Sequence, residues 1–188
     1  MNNWQIKERE VVMKTPIGSF VTTKKIDPNG VERKYISMQA PDWVCAVVRL
    51  GTDSDNFMMV KQFRHGINRE ITEFPSGMVD AGEKAIDALY RELDEELGIK
   101  KENVIKLEQL YTGSPNPAFM ENRMTCFYVV VDGYSENNPD DDEFLETVIV
   151  KRSEMSEIVG QEDYGLMMRL AWEMFEKKIK KKDIKIKN

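Results

Sequence analysis

Between Gly77 and Ile99 the chain passes from a turn into a segment with helical spacing that carries acids where a core should be. At about 100° per residue, Ala85, Ile86, Leu89, Leu93 and Leu97 share one arc, and Gly98 tolerates the positive φ of a helix end, so the spacing predicts a helix over 85–97. Glu96 falls inside that apolar arc, Glu92 at its edge, and Glu95 one turn from Glu92. Carboxylates at i, i+3 and i+4 repel by a few tenths of a kcal/mol per pair, and partly burying one costs far more unless it is paired or bound to a cation. Any fold containing this helix must therefore set a compensating charge beside it. Hard oxygen ligands on a rigid helix suit Mg²⁺ or Mn²⁺, which bridge to substrate phosphates. The alternative is a solvated acidic face balanced by Arg91 and Lys84.

The rest of the composition narrows the chemistry. A single histidine, His65, excludes sites built from several imidazoles and leaves a serine–histidine mechanism without a nucleophile motif. Cys45 and Cys126 each sit in an apolar run with no second Cys or His at ligand spacing, which reads as buried thiols and not a metal site. Carboxylates must carry any catalysis. The net charge of −6 hides an asymmetry: residues 177–188 hold seven Lys and one Asp, a net +6, which leaves −12 on residues 1–176. A body that acidic repels nucleic acid. No apolar run approaches the roughly 18 residues of a membrane span, and the first residues lack the basic-then-apolar order of a signal peptide, so the expectation is a cytoplasmic protein with no membrane partner.

At 188 residues the chain reads as one domain with an appended arm. Residues 11–38 alternate short β-rich runs with turn signals, Asn29-Gly30 after Asp27-Pro28 above all, and predict a β-hairpin arm. Apolar runs at 43–50 and 57–63 suit the centre of a sheet, and further strands are expected at 70–74, 104–111, 124–131 and 144–150. Ser153 is the expected N-cap of a short helix. Tyr164, Met167, Met168, Ala171, Met174 and Phe175 form the stripe of a final helix, and the lysines after it fray into solvent. Strands and helices mix without regular βαβ alternation, so the fold class is α+β.

Read outward from the helix, Gly77 is followed after five residues by Glu83, and seven residues later by Arg91-Glu92-Leu93-Asp94-Glu95-Glu96-Leu97-Gly98-Ile99. This resembles, at every defined position, the signature box of the Nudix hydrolase family. With usages of about 5–7% for each fixed residue, a chance match is far below one in a million. The resemblance implies the Nudix fold, a mixed β-sheet sandwiched between helices, over residues 41–188 with the basic tail, and a dimerisation arm over residues 1–40. It also implies metal-dependent hydrolysis of a nucleoside diphosphate linked to another group.

By the same resemblance Glu92, Glu95 and Glu96 bind the metal with the carbonyl of Ser76 or Gly77, while Glu83 and Arg91 orient them. Gln62-Phe63-Arg64, Glu73-Phe74-Pro75-Ser76-Gly77, Pro115 sixteen residues beyond Ile99, and Asp142-Glu143-Phe144-Leu145-Glu146 are similar to features of the ADP-ribose and ADP-sugar pyrophosphatase branch. That likeness implies that Arg64 and Glu73 serve the substrate site and that Pro115 shapes the sugar end. It makes Glu143 a further metal ligand or general base, with Asp141 and Asp142 behind it. Phe20 and Tyr35 of the arm, with Trp43, are candidates to stack on the base, and packing or salt-bridge roles are the alternative for each of these residues. Asn116 stands where many relatives carry glycine, which opens the terminal sugar to others. The expected substrate is ADP-ribose or a related ADP-sugar, cleaved to AMP and a sugar phosphate by a Mg²⁺- or Mn²⁺-dependent homodimer. A hydrolase of another nucleotide sugar such as GDP-mannose, and a non-catalytic nucleotide-sugar sensor, are the alternatives.

Overall fold

The computed structural model describes residues 3–137 and 144–186, with side chains through residue 180. Its first three strands, β1 (Gln5–Thr15), β2 (Gly18–Ile26) and β3 (Glu32–Gln39), form an antiparallel meander. The arm thus has one strand more than a hairpin, and β1 starts at Gln5, ahead of any β-branched run, because it pairs with β2 from Gln5↔Ile26 onward. The turn at Asp27–Gly30 forms as its residues dictate. The Asp27 carboxylate accepts from the N–H groups of Asn29 and Val31 at 2.9 Å each, and Gly30 takes φ 81°.

The remaining strands are β4 (Trp43–Leu50), β5 (Asn56–Arg64), β6 (Arg69–Glu73), β7 (Ser76–Met78), β8 (Val104–Gly113), β9 (Met124–Val131) and β10 (Leu145–Lys151). Five of them make a mixed sheet in the order β10-β5-β4-β9-β8, with β4 parallel to β9. Alternation of side chains sends Val44, Ala46 and Val48 to one face and Cys45 and Val47 to the other. β9 splits the same way, with Phe127, Val129 and Val131 opposite Cys126, Tyr128 and Val130. Helix α1 (Ala85–Leu97) covers the first face through Ala88, Leu89, Leu93 and Leu97. Helices α2 (Arg152–Val159) and α3 (Leu166–Ile186) cover the second through Met155, Val159, Met168, Ala171, Trp172 and Phe175. The result is the expected α+β layering of a mixed sheet between helices.

The sheet forks where the site lies. β4 and β5 pair only at Val48↔Met58 and Arg49↔Phe57 and then diverge. β6 takes over the edge of β5 from Val60↔Glu73, and β7 takes over the edge of β4 from Cys45↔Ser76. The link Phe74-Pro75 crosses the fork, and the Ala46 N–H donates to the Pro75 carbonyl at 3.1 Å.

Three local expectations change. Ile86 is 40% exposed, whereas Ala88 is buried in the core and Ala85 packs against it. The short helix begins at Arg152, not after Ser153, and its Glu154 carboxylate accepts from the Lys151 N–H at 2.8 Å. The lysines do not fray directly after the core stripe: α3 continues to Ile186, and Lys178 pairs with Glu108 on β8.

Candidate active site

Helix α1 delivers its acids to the fork of the sheet. It ends as the sequence specifies, with Gly98 at φ 63° and its N–H returned to the Asp94 carbonyl at 3.0 Å. Glu92 is 8% exposed and Glu96 3%, so both carboxylates are buried on the face that also carries Leu89 and Leu93. The Ser76 N–H donates to Glu96 Oε2 at 2.9 Å. One residue on, a Cβ at Gly77 would lie 1.9 Å from Glu92 Cδ, so only glycine leaves room for that carboxylate. Glu92 and Glu96 therefore converge on the same Ser76-Gly77 segment. The Glu96 carbonyl at the end of the helix accepts from Thr147 Oγ1 at 3.0 Å and Asn137 Nδ2 at 3.3 Å.

Arg91 organises the outer side of this cluster. Its Nη1 bridges Glu92 Oε1 at 2.7 Å and Glu95 Oε2 at 3.0 Å, and its Nη2 donates to the Met78 carbonyl at 2.8 Å. Glu83 lies in the loop before α1, which makes an eight-residue separation a direct contact: Nε and Nη2 reach its two oxygens at 3.4 and 3.2 Å. The same carboxylate accepts from the Asp80 N–H at 3.0 Å, and these bonds, Arg91's first, hold it below the usual carboxylate range. The planar fork of a guanidinium makes this four-way junction possible.

Arg64 and Glu73 meet each other: Nε to Oε1 is 2.5 Å across the β5–β6 pair. Glu73 is buried, and burial pushes its carboxyl above the usual range even though Arg64 and Gln62 draw it down. Tyr164 lies two residues ahead of α3 and not in the helix stripe expected of it, and is a buried phenol near this carboxylate; burial first and the Glu73 charge second push it up. Pro115 is half-buried in the loop between β8 and β9. Phe20 tilts against Phe119 of that loop at 6.1 Å, and Tyr35 meets Trp4 edge-on at 5.7 Å, so both lie where the arm joins the loop. With Arg9, Lys25 and Phe119, Tyr35 lines a cavity of about 250 Å³ there. Arg9 Nη2 clamps Glu121 Oε2 at 2.6 Å beside it. Within one chain neither aromatic has a ring contact to α1 among the described residues. Glu143, Asp141 and Asp142 lie outside the described residues.

The donor chemistry fits a hard divalent cation, since two buried carboxylates, Glu92 and Glu96, meet the Ser76-Gly77 backbone there. Among the described residues no three acidic, thiol or imidazole groups converge as a ready cage, and Arg91 engages Glu92 and Glu95 together.

The NUDIX domain family matches residues 41–170, more than half of the chain. An ADP-ribose pyrophosphatase of Bacillus subtilis is 32% identical over 134 residues, which is 70% of each chain. The ADP compounds hydrolase NudE of Escherichia coli is 28% identical over 73% of this chain and 72% of its own. A crystal structure of an ADP compounds hydrolase superposes with a TM-score of 0.77 over 95% of each chain at 20% identity, a likeness of fold. The chain belongs to the Nudix family, and with these relatives it is a hydrolase.

Proposed function

We propose that this protein hydrolyses the diphosphate bond of ADP-ribose, or a related ADP-sugar, to AMP and a sugar phosphate with Mg²⁺ or Mn²⁺. The observation that carries this reading is the convergence of buried Glu92 and Glu96 on Ser76-Gly77 at the fork of the sheet. Glu92, Glu95, Glu96 and the backbone of Ser76 would hold the cation, which when bound neutralises charge on the diphosphate oxygens and activates water. The chain's own residues prepare that site. The Ser76 N–H fixes the direction of Glu96, the glycine at 77 admits Glu92, and Arg91 spaces Glu92 from Glu95. Arg64 brings a guanidinium that can fork onto phosphate oxygens, steadied by Glu73.

Glu143 belongs to the proposal as general base or further ligand, supported by the anchoring of Asn137 and Thr147, on either side of its loop, to the Glu96 carbonyl. Phe20 and Tyr35 would act on the base from the arm of a homodimer, which Ile6, Val11, Val12, Met13, Ile17 and Ile36, apolar side chains exposed on or beside the meander, support. Pro115 would border the sugar end. A cytoplasmic setting suits the free thiols of Cys45 and Cys126.

Product analysis tests the reading. The purified chain with Mg²⁺ is incubated with ADP-ribose, ADP-glucose, GDP-mannose, NADH and nucleoside triphosphates. Fastest release of AMP and ribose 5-phosphate from ADP-ribose is the expected result. Faster cleavage of GDP-mannose overturns the substrate and keeps the chemistry, whereas binding without turnover of any compound makes the chain a sensor.

A further inference from the structure

We propose that Cys45 and Cys126 form a reversible redox site, a dithiol that closes to an intramolecular disulfide and ties β4 to β9 beneath the active site. The two residues are direct register partners on parallel strands. Neighbouring strands lie about 4.8 Å apart, inside the Cα separation of about 4.4–6.8 Å that a disulfide spans. Both side chains enter the same core, under α3, and both are fully buried. Their Sγ atoms stand 2.8 Å apart. Carbon atoms pack best at about 3.5–4.0 Å, and sulfur is larger than carbon, so ordinary core packing does not account for this approach. A bond of about 2.05 Å is less than an ångström of movement away. The chain has no other cysteine, so no internal partner competes. The site also bears on catalysis by position, since Cys45 faces Ser76 across the other edge of β4.

A peroxide is a sufficient oxidant. The Cys126 sulfur, hydrogen-bonded to Cys45, attacks one peroxide oxygen and becomes a sulfenic acid as hydroxide leaves and takes the Cys126 thiol proton to become water. Cys45 sulfur then attacks Cys126 sulfur, the S–S bond forms as the S–O bond breaks, and the displaced hydroxide takes the Cys45 thiol proton to become the second water. The thiols lose two electrons and two protons, and one peroxide is reduced.

The test equilibrates the full chain in glutathione redox buffers after refolding, which removes any barrier from burial, and repeats the oxidation of the native protein with hydrogen peroxide. Free thiols are then alkylated under denaturing conditions and peptides are mapped. Expected are a linked pair of peptides containing Cys45 and Cys126, a chain lighter by two hydrogens in the glutathione samples, a Tm above that of the reduced protein, and full reversal by dithiothreitol. Cys126→Ala is expected to keep hydrolysis of ADP-ribose and to show no oxidant-dependent Tm shift. Two alkylatable thiols at every glutathione ratio overturn the proposal, as do mixed disulfides with glutathione or disulfide-linked dimers in place of the internal bond.

Discussion

The Ser76 N–H donates to the Glu96 carboxylate at 2.9 Å across twenty residues of chain, and this bond fastens the end of α1 to β7, the strand inserted in the forked sheet. It ties a charge that the helix buries to a backbone group that the fork leaves without a strand partner on that side. Charge-assisted bonds of this kind are short and directional. Glu96→Gln keeps an oxygen for the Ser76 N–H but removes the negative charge. The expected outcome is an unchanged circular dichroism spectrum and a loss of turnover of at least about 100-fold with ADP-ribose and Mg²⁺. Turnover within a few fold of the parent removes Glu96 from the cation site.

Gly77→Ala tests the convergence from the other side. The added methyl group falls 1.9 Å from Glu92 Cδ, so Glu92 must swing away from the segment that Glu96 still touches. Misplacement by about an ångström is enough to cost roughly 100-fold in rate. Steady-state hydrolysis is expected to fall by about that factor while the far-ultraviolet spectrum stays the same. A fully active alanine variant means that Glu92 need not sit there.

Arg91→Lys separates charge from shape. A lysine keeps the positive charge but cannot reach Glu83, Glu92, Glu95 and the Met78 carbonyl together as the guanidinium does. Positioning residues around metal ligands typically contribute about 10–100-fold. The expected effect is a drop of that size in kcat with a higher Mg²⁺ requirement, read from metal titrations of the rate. An unchanged metal requirement leaves Arg91 with a structural role only.

Much of this site was legible because helix and box obey one periodicity. The positions of Leu89, Leu93 and Leu97 fix which side of α1 meets the sheet, and Glu92 and Glu96 then follow onto it. Gly98 marks the helix end by its backbone alone. Other relationships depend on contacts between distant segments. That Glu83 bonds Arg91 follows from the course of the loop before the helix, which an eight-residue spacing does not specify. The pairing of Arg64 with Glu73 needs the β5–β6 register, and the anchoring of the Glu96 carbonyl by Thr147 needs β10 beside α1. Ile86 carried the right periodicity for the core and is nevertheless exposed while Ala88 is buried, since periodicity gives an angle on the helix and not which neighbouring elements cover it. The early start of β1 is set by pairing with β2, which overrides weak local preference.

Chelation distinguishes a catalytic cation from a structural one. Two apolar cores, on either side of the sheet, hold α1, α2 and α3 without using the carboxylates of the site. Treatment with ethylenediaminetetraacetate is therefore expected to abolish hydrolysis and leave the circular dichroism spectrum intact, with activity restored by Mg²⁺. An apo protein that unfolds at room temperature contradicts this independence.

Glu73 gives the fold a pH dependence of definite sign. Burial raises its carboxyl above the ordinary glutamate value of about 4.5, and the ion pair with Arg64 only partly opposes this. A group whose folded value exceeds its unfolded one binds more protons when folded, so its contribution is present below about 4.5 and is lost as pH rises through the raised value. Glu73→Gln keeps a polar group of similar shape that does not titrate. Measured as Tm against pH, the difference between parent and variant should shift in favour of the variant as pH climbs from about 4 to 8, in the direction linkage requires. The opposite slope means that the Arg64 guanidinium outweighs burial, and a difference that is flat across this range means that the two cancel; either outcome overturns the raised carboxyl.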